Sequence, residues 1–271
     1  MHSNLRPLLI LMALGLFTGA AAEASLQVFP TRIFLSNKDR VANISLRHRG
    51  KSPMPYKITA VFYRMKTDGS LELVKKPGSG ERSAIKMIRF SPRRVTLQPG
   101  EEQVVRVIST ARGKVEEGEY RAHLRFEPKE ADPDVEPNSS GNTQQITMKL
   151  KAKVSVAIPV IFRQGNPQYN LKLSGLKLDK VGKATAFSLQ MDSTGNAYPV
   201  GDFRIYFTPK GGEKIQVGLV KGVSSYISRR TVKYTLNSAS NIRLKGGVLR
   251  AEFYQPKARG GKLIQAVDAR I

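Results

Sequence analysis

No segment of this chain beyond its N-terminal run sustains a 3.6-residue apolar period. Runs of about five to eight residues rich in Val, Ile, Leu, Phe and Tyr recur instead, set between clusters of Gly, Pro, Asn and Asp. That spacing predicts an all-β chain. In the N-terminal half the candidate strands are 26–29, 41–46, 56–64, 71–73, 85–90, 94–97, 103–109 and 119–127, with Asp68-Gly69 and Pro99-Gly100 as turns between them. So many short strands at this spacing fit an immunoglobulin-like sandwich. In the C-terminal half, strands are expected at 168–173, 185–191, 202–208, 214–220, 231–236 and 248–254.

The 271 residues suit two domains of ordinary size. The first residues read as a secretory signal: a basic Arg6, the apolar run Leu8 to Phe17, then small residues up to Ala24. That run is short for a membrane span, which needs about 20 apolar residues. The expected division is a signal peptide over 1–24, a first domain over 25–163 and a second β-sandwich over 164–271, placing the mature chain outside the cytoplasm without a membrane span. Residues 128–143 are polar and rich in Pro and Gly, and a loop of that length in a compact domain is expected to be mobile and to serve a function.

Cysteine is absent, which excludes a disulfide framework, a thiolate metal site and a cysteine nucleophile. Lys+Arg total 45 against 21 Asp+Glu, a net charge of +24. Such a field favours anionic partners, and with export it points to acidic subunits, membrane surfaces or polysaccharide rather than nucleic acid. Beyond the signal the histidines are His48 and His123, each flanked by arginine or apolar strand residues, so neither a catalytic triad nor a metal cluster is implied. The chain reads as a non-enzyme with no cofactor.

One run is unusual. From Gln145 to Pro159, Ile146, Met148, Leu150, Ala152, Val154 and Val156 fall on one face of an extended strand, and Thr147, Lys149, Lys151, Lys153 and Ser155 on the other. At about 3.3 Å per residue the run spans about 45 Å, too long for a sandwich strand of ordinary length, so part of it overhangs or forms an edge. Two readings stand: an edge blunted by its own lysines, and a strand kept for pairing with another protein.

Several separated segments, in order, resemble the periplasmic pilus-assembly chaperones, the PapD-like family. They are Pro30-Thr31-Arg32-Ile33 on the first mature strand, 89–107 with its Pro-Gly turn and arginine-bearing strand, and 118–128. In the second half, Asp192-Ser193-Thr194-Gly195-Asn196 and 229–236 are more distantly similar. The resemblance implies two immunoglobulin-like domains at an angle and a chaperone that holds pilus subunits by donor-strand complementation, then hands them to an outer-membrane usher. It implies that Ile146, Met148, Leu150 and Ala152 enter the subunit's groove and that Arg32 anchors the subunit's terminal carboxylate. The family's second anchor, a lysine on the donor strand, has no direct counterpart, because Ser155 or Pro159 stands there. Lys153, then Lys151, is the nearest candidate. An ionic network between the domains is implied as well, with Arg106 and Glu119 in the first domain. Its third member is an aspartate in the family, and the acidic residue in the corresponding stretch here is Glu252. The rival reading is a secreted β-sandwich that binds a surface or polysaccharide through its charge.

Overall fold

The structure, a computed structural model, describes residues 26–113, 115–129, 154–182, 184–236, 244–257 and 260–271. The expected signal peptide, most of the polar loop, and residues 145–153 of the alternating run lie outside the described residues. So do Ile146, Met148, Leu150, Ala152, Lys151 and Lys153.

The first part of the chain forms β1 (Leu26–Phe29), β2 (Ile33–Ser36), β3 (Val41–His48), β4 (Met54–Met65), β5 (Leu71–Val74), β6 (Ile88–Ser91), β7 (Arg94–Leu97), β8 (Glu102–Ser109), β9 (Gly118–Pro128) and β10 (Val156–Gln164). The second part forms β11 (Tyr169–Val181), β12 (Ala184–Gly195), β13 (Val200–Pro209), β14 (Ile215–Ser224), β15 (Arg229–Thr235), β16 (Gly247–Tyr254) and β17 (Leu263–Arg270). Most expected strands recur within a few residues. Residues 85–87, expected to open a strand, instead make a 3₁₀ turn before β6. β2 and β17 are strands that the sequence reading lacks.

Two sheets pack around the first core, one in the order β1-β3-β8-β6 and one in the order β2-β10-β9-β4-β5, with β7 also on β4. Alternation builds it. β3 turns Ile44 and Leu46 inward and β8 turns Val105 and Val107 inward, and each of these side chains is fully buried. The opposing sheet supplies Leu124 and Phe126 from β9 and Ile158, Val160 and Phe162 from β10. A second core lies between β11-β12-β15 and β14-β13-β16-β17, centred on Phe187, Phe203, Phe207 and Phe253. Each sheet has an apolar face to bury, so the stable arrangement is sheet on sheet.

The chain changes sheets early. β1 runs antiparallel to β3, while β2 runs parallel to β10, with Ile33 opposite Val160 and Ser36 opposite Arg163. Residues 30–32 carry the crossover. Arg32 therefore lies just ahead of β2 rather than on the first strand, which ends at Phe29.

Candidate functional site

β9 is buried on both faces, and its faces differ in kind. Ala122, Leu124 and Phe126 point into the first core, whereas Glu119, Arg121 and His123 alternate with them and point the other way. Those three are nevertheless only 2–3% exposed. The second sandwich covers them, so this strand sets the chemistry between the two parts of the molecule.

Glu119 is the central tie. Its carboxylate accepts from Arg163 Nε of β10 at 2.6 Å and from the backbone N–H of Tyr198 in the second sandwich at 2.8 Å. Its own N–H donates to the carbonyl of Asn196 at 2.8 Å. Arg163 is the residue opposite Glu119 in the β9–β10 ladder, and its guanidinium also lies over the Phe34 ring. The expected Arg106–Glu119 pair does not form. Arg106 is exposed on β8, in the other sheet, because Val105 and Val107 take the core-facing positions on either side of it. Glu252 is buried, but within the second sandwich, where it accepts from Lys214, Arg250 and Tyr254 at 2.9, 2.8 and 2.7 Å. It takes no part in the tie.

Arg121 is clamped between rings, 4.6 Å from the centre of Phe62 and 4.0 Å from that of Tyr226, and its Nη1 donates to the Tyr63 carbonyl at 2.7 Å. Burial lowers its pKa, the cost of a desolvated charge. The tip of the β4–β5 hairpin is joined to the second sandwich by the main chain, since Thr231 N–H donates to the Thr67 carbonyl at 2.6 Å.

Between these ties lies a cavity of about 410 Å³, whose lining includes Arg32, Tyr63, His123, Pro159, Tyr226 and Arg230. Among the described residues, its lining carries two guanidinium groups and no carboxylate. Arg32 donates from Nη2 to the Tyr226 hydroxyl at 3.4 Å, and its buried Nε has no partner among the described residues. His123 sits against Tyr63 and Tyr226, with its Nδ1 also unpartnered.

Burial, followed by the charges of Arg121 and Arg32, pushes the His123 imidazole down to about 3 from its ordinary 6.5. A base whose folded pKa is depressed leaves the unfolded chain holding the extra proton across that interval, so stability is full above pH 6.5 and is lost as pH falls toward 3. The whole interval corresponds to roughly 5 kcal/mol. Replacing His123 with Gln is expected to flatten the fall in melting temperature between neutral and mildly acidic pH, as read by calorimetry. An unchanged slope would assign the acid sensitivity to the carboxylates.

β10 borders this cavity through Ala157 and Pro159. β9 pairs with it from Val156 to Gln164, but β2 pairs only with Val160 to Arg163. The edge of Val156 to Pro159 that faces away from β9 thus carries no strand among the described residues. Val156, Ile158, Val160 and Phe162 all face the core, so the even-numbered phase of the alternating run is the apolar phase of the folded strand.

No family profile and no curated protein matches the chain. Among solved structures it is similar to a chaperone–tip adhesin complex of CFA/I fimbriae biogenesis, at 14% identity over 91% of this chain and 98% of that one, with a TM-score of 0.46. A class 5 fimbriae chaperone, CfaA, is 13% identical over 91% and 99%, with a TM-score of 0.45. The CsuC–CsuE chaperone–tip adhesion subunit pre-assembly complex of the archaic chaperone-usher Csu pili of Acinetobacter baumannii is 11% identical over 90% and 98%, with a TM-score of 0.46.

Proposed function

We propose that the chain is a non-enzymatic periplasmic chaperone that holds pilus or fimbrial subunits by donating a strand and delivers them to an outer-membrane usher. The observation that carries this reading is the half-open edge of β10, which ends at a cationic cavity. A subunit strand added to that edge takes main-chain hydrogen bonds from it, a mode in which the ladder gives affinity and alternate side chains give specificity. The alternating run extends the same phase upstream, so Ile146, Met148, Leu150 and Ala152 supply apolar side chains to the subunit's groove. Arg32 stands where β2 closes the edge, and it anchors the subunit's terminal carboxylate through the planar donor fork that guanidinium offers. Both charges are permanent at periplasmic pH, and no cofactor takes part.

The test is co-expression with the subunits encoded beside the gene, followed by pull-down from periplasm. The expected result is a one-to-one complex that Arg32→Ala weakens at least 100-fold, the scale of losing one partner of a desolvated charge pair. The net charge of +24 supports a second reading, a secreted polysaccharide or surface binder. Absence of a complex with any neighbouring subunit, together with binding to anionic polysaccharide that weakens steeply with salt, would favour that reading.

A further inference from the structure

Arg230 lies on β15 of the second sandwich, yet it lines the same cavity as Arg32. It is in phase with the buried Val232, and with 7% exposure it is a charged side chain placed among core positions. Its Nη1 donates to the Ser224 carbonyl and its Nη2 to the Tyr234 hydroxyl at 3.2 Å. Its buried Nε has no partner among the described residues, as is also true of Arg32. Neither guanidinium has an ion pair among the described residues, although Arg163 and Arg229 each have one and Arg250 has two. Gly69, at the tip of the β4–β5 hairpin, packs directly on the Arg230 guanidinium, and a Cβ at that position would collide with it.

Holding a buried and a part-buried cation against one cavity with no carboxylate among the described residues of its lining is costly, and a buried donor left unmade costs about 1–3 kcal/mol more. The missing complement is an anion. Tyr63, Leu71, Val223, Tyr226 and Tyr234 make the other walls, which suit an apolar or aromatic side chain carried next to that anion. We propose that Arg230 is the second anchor for a polypeptide's terminal carboxylate, so that the carboxylate is held between Arg32 of one sandwich and Arg230 of the other. This rests on the chaperone reading and deepens it: the second cation comes from the far domain rather than from the donated strand. The bound carboxylate then bridges the two sandwiches, and subunit capture stiffens the joint between them.

The first arm uses the chain alone. The ¹⁵N Nε–H resonances of Arg32 and Arg230 are followed while N-acetyl-glycyl-tyrosine, its C-terminal amide, or inorganic phosphate is added. Both resonances are expected to shift together on one saturation curve with the free acid, and neither with the amide. A shift of Arg32 alone overturns the role of Arg230, as does the absence of any shift with the free acid. Saturation by phosphate at lower concentration than by the free acid overturns the terminal-carboxylate assignment.

The second arm uses the subunit complex. Because Arg230 packs on Gly69, the charge-conserving Arg230→Lys is used, with its melting temperature as the check on folding. Loss of the bidentate fork is expected to weaken subunit capture about 10-fold. If Lys153→Ala weakens capture and Arg230→Lys does not, the second cation lies on the donor strand and the proposal fails. If the native chain captures no subunit, the chaperone reading fails, while the peptide titration still decides whether the two arginines share a carboxylate.

Discussion

Glu119→Ala is expected to lower the stability of the protein by about 3 kcal/mol and to loosen its two sandwiches from each other. The carboxylate is 3% exposed and satisfies two donors on different elements, Arg163 Nε and the Tyr198 N–H. Removing one partner of a buried pair costs about 3–5 kcal/mol, because the other charge is left without a counterion. Arg163 is 31% exposed and retains its contact with the Phe34 ring, which places the effect at the lower end of that range. Glu119→Gln keeps an acceptor for Tyr198 and is expected to cost about half as much. Calorimetry is the measurement. The native protein is expected to melt in one transition and the alanine variant in two, with the C-terminal sandwich released first to protease near residues 165–168. A single unshifted transition would mean that the aromatic clamp on Arg121 and the Thr231–Thr67 hydrogen bond hold the joint without Glu119.

The second large effect concerns binding. On the proposed chaperone reading, Ile146→Glu combined with Leu150→Glu is expected to abolish subunit capture while changing the stability of the free protein by less than about 0.5 kcal/mol, the usual scale for substitutions outside a core. Each apolar side chain buried in a groove contributes about 1.5–3 kcal/mol, and each unpaired carboxylate forced into that groove adds a further penalty. The sum exceeds about 6 kcal/mol, which is more than four orders of magnitude in Kd. Thermal melts of the free chain and periplasmic pull-down of the complex together make the test. Loss of stability in the free chain would show that these side chains serve its own core. Retained capture would show that the subunit is held elsewhere.

Much of the fold was legible because alternation is a local property. β3, β8 and β9 each declare which residues turn inward, and the structure buries those residues. The same rule is enough to place Arg106 outside, between Val105 and Val107, and there local periodicity prevails over the pairing that the resemblance implied. The true partner of Glu119 was not legible. Arg163 meets it only through the β9–β10 register, which links residues 44 positions apart across the undescribed segment. Alternation alone does not tell what covers the charged phase of β9: Glu119, Arg121 and His123 point away from the first core, and the second sandwich turns them into an interior. Arg230 did carry a signal, since it shares its phase with Val232. A cation in the apolar phase of a strand is a buried charge awaiting a partner. β2 escaped because residues 30–33 read as part of the first strand, whereas the chain changes sheets there, and β17 because its residues are half-exposed along most of their length.

The shortness of β2 has a further effect. It occupies the outer edge of β10 from Val160 onward and leaves the part before it open, with Arg32 at the boundary. Any strand laid on the open part must halt where β2 begins, whatever its own length, so β2 works as a gauge that fixes where the visitor's last residue rests. Period two makes that gauge unforgiving: an offset of one residue exchanges every inward side chain of the visitor for its neighbour. On the proposed reading, a shift of the start of β2 along β10 by one residue would therefore change which half of a partner's side chains the protein reads.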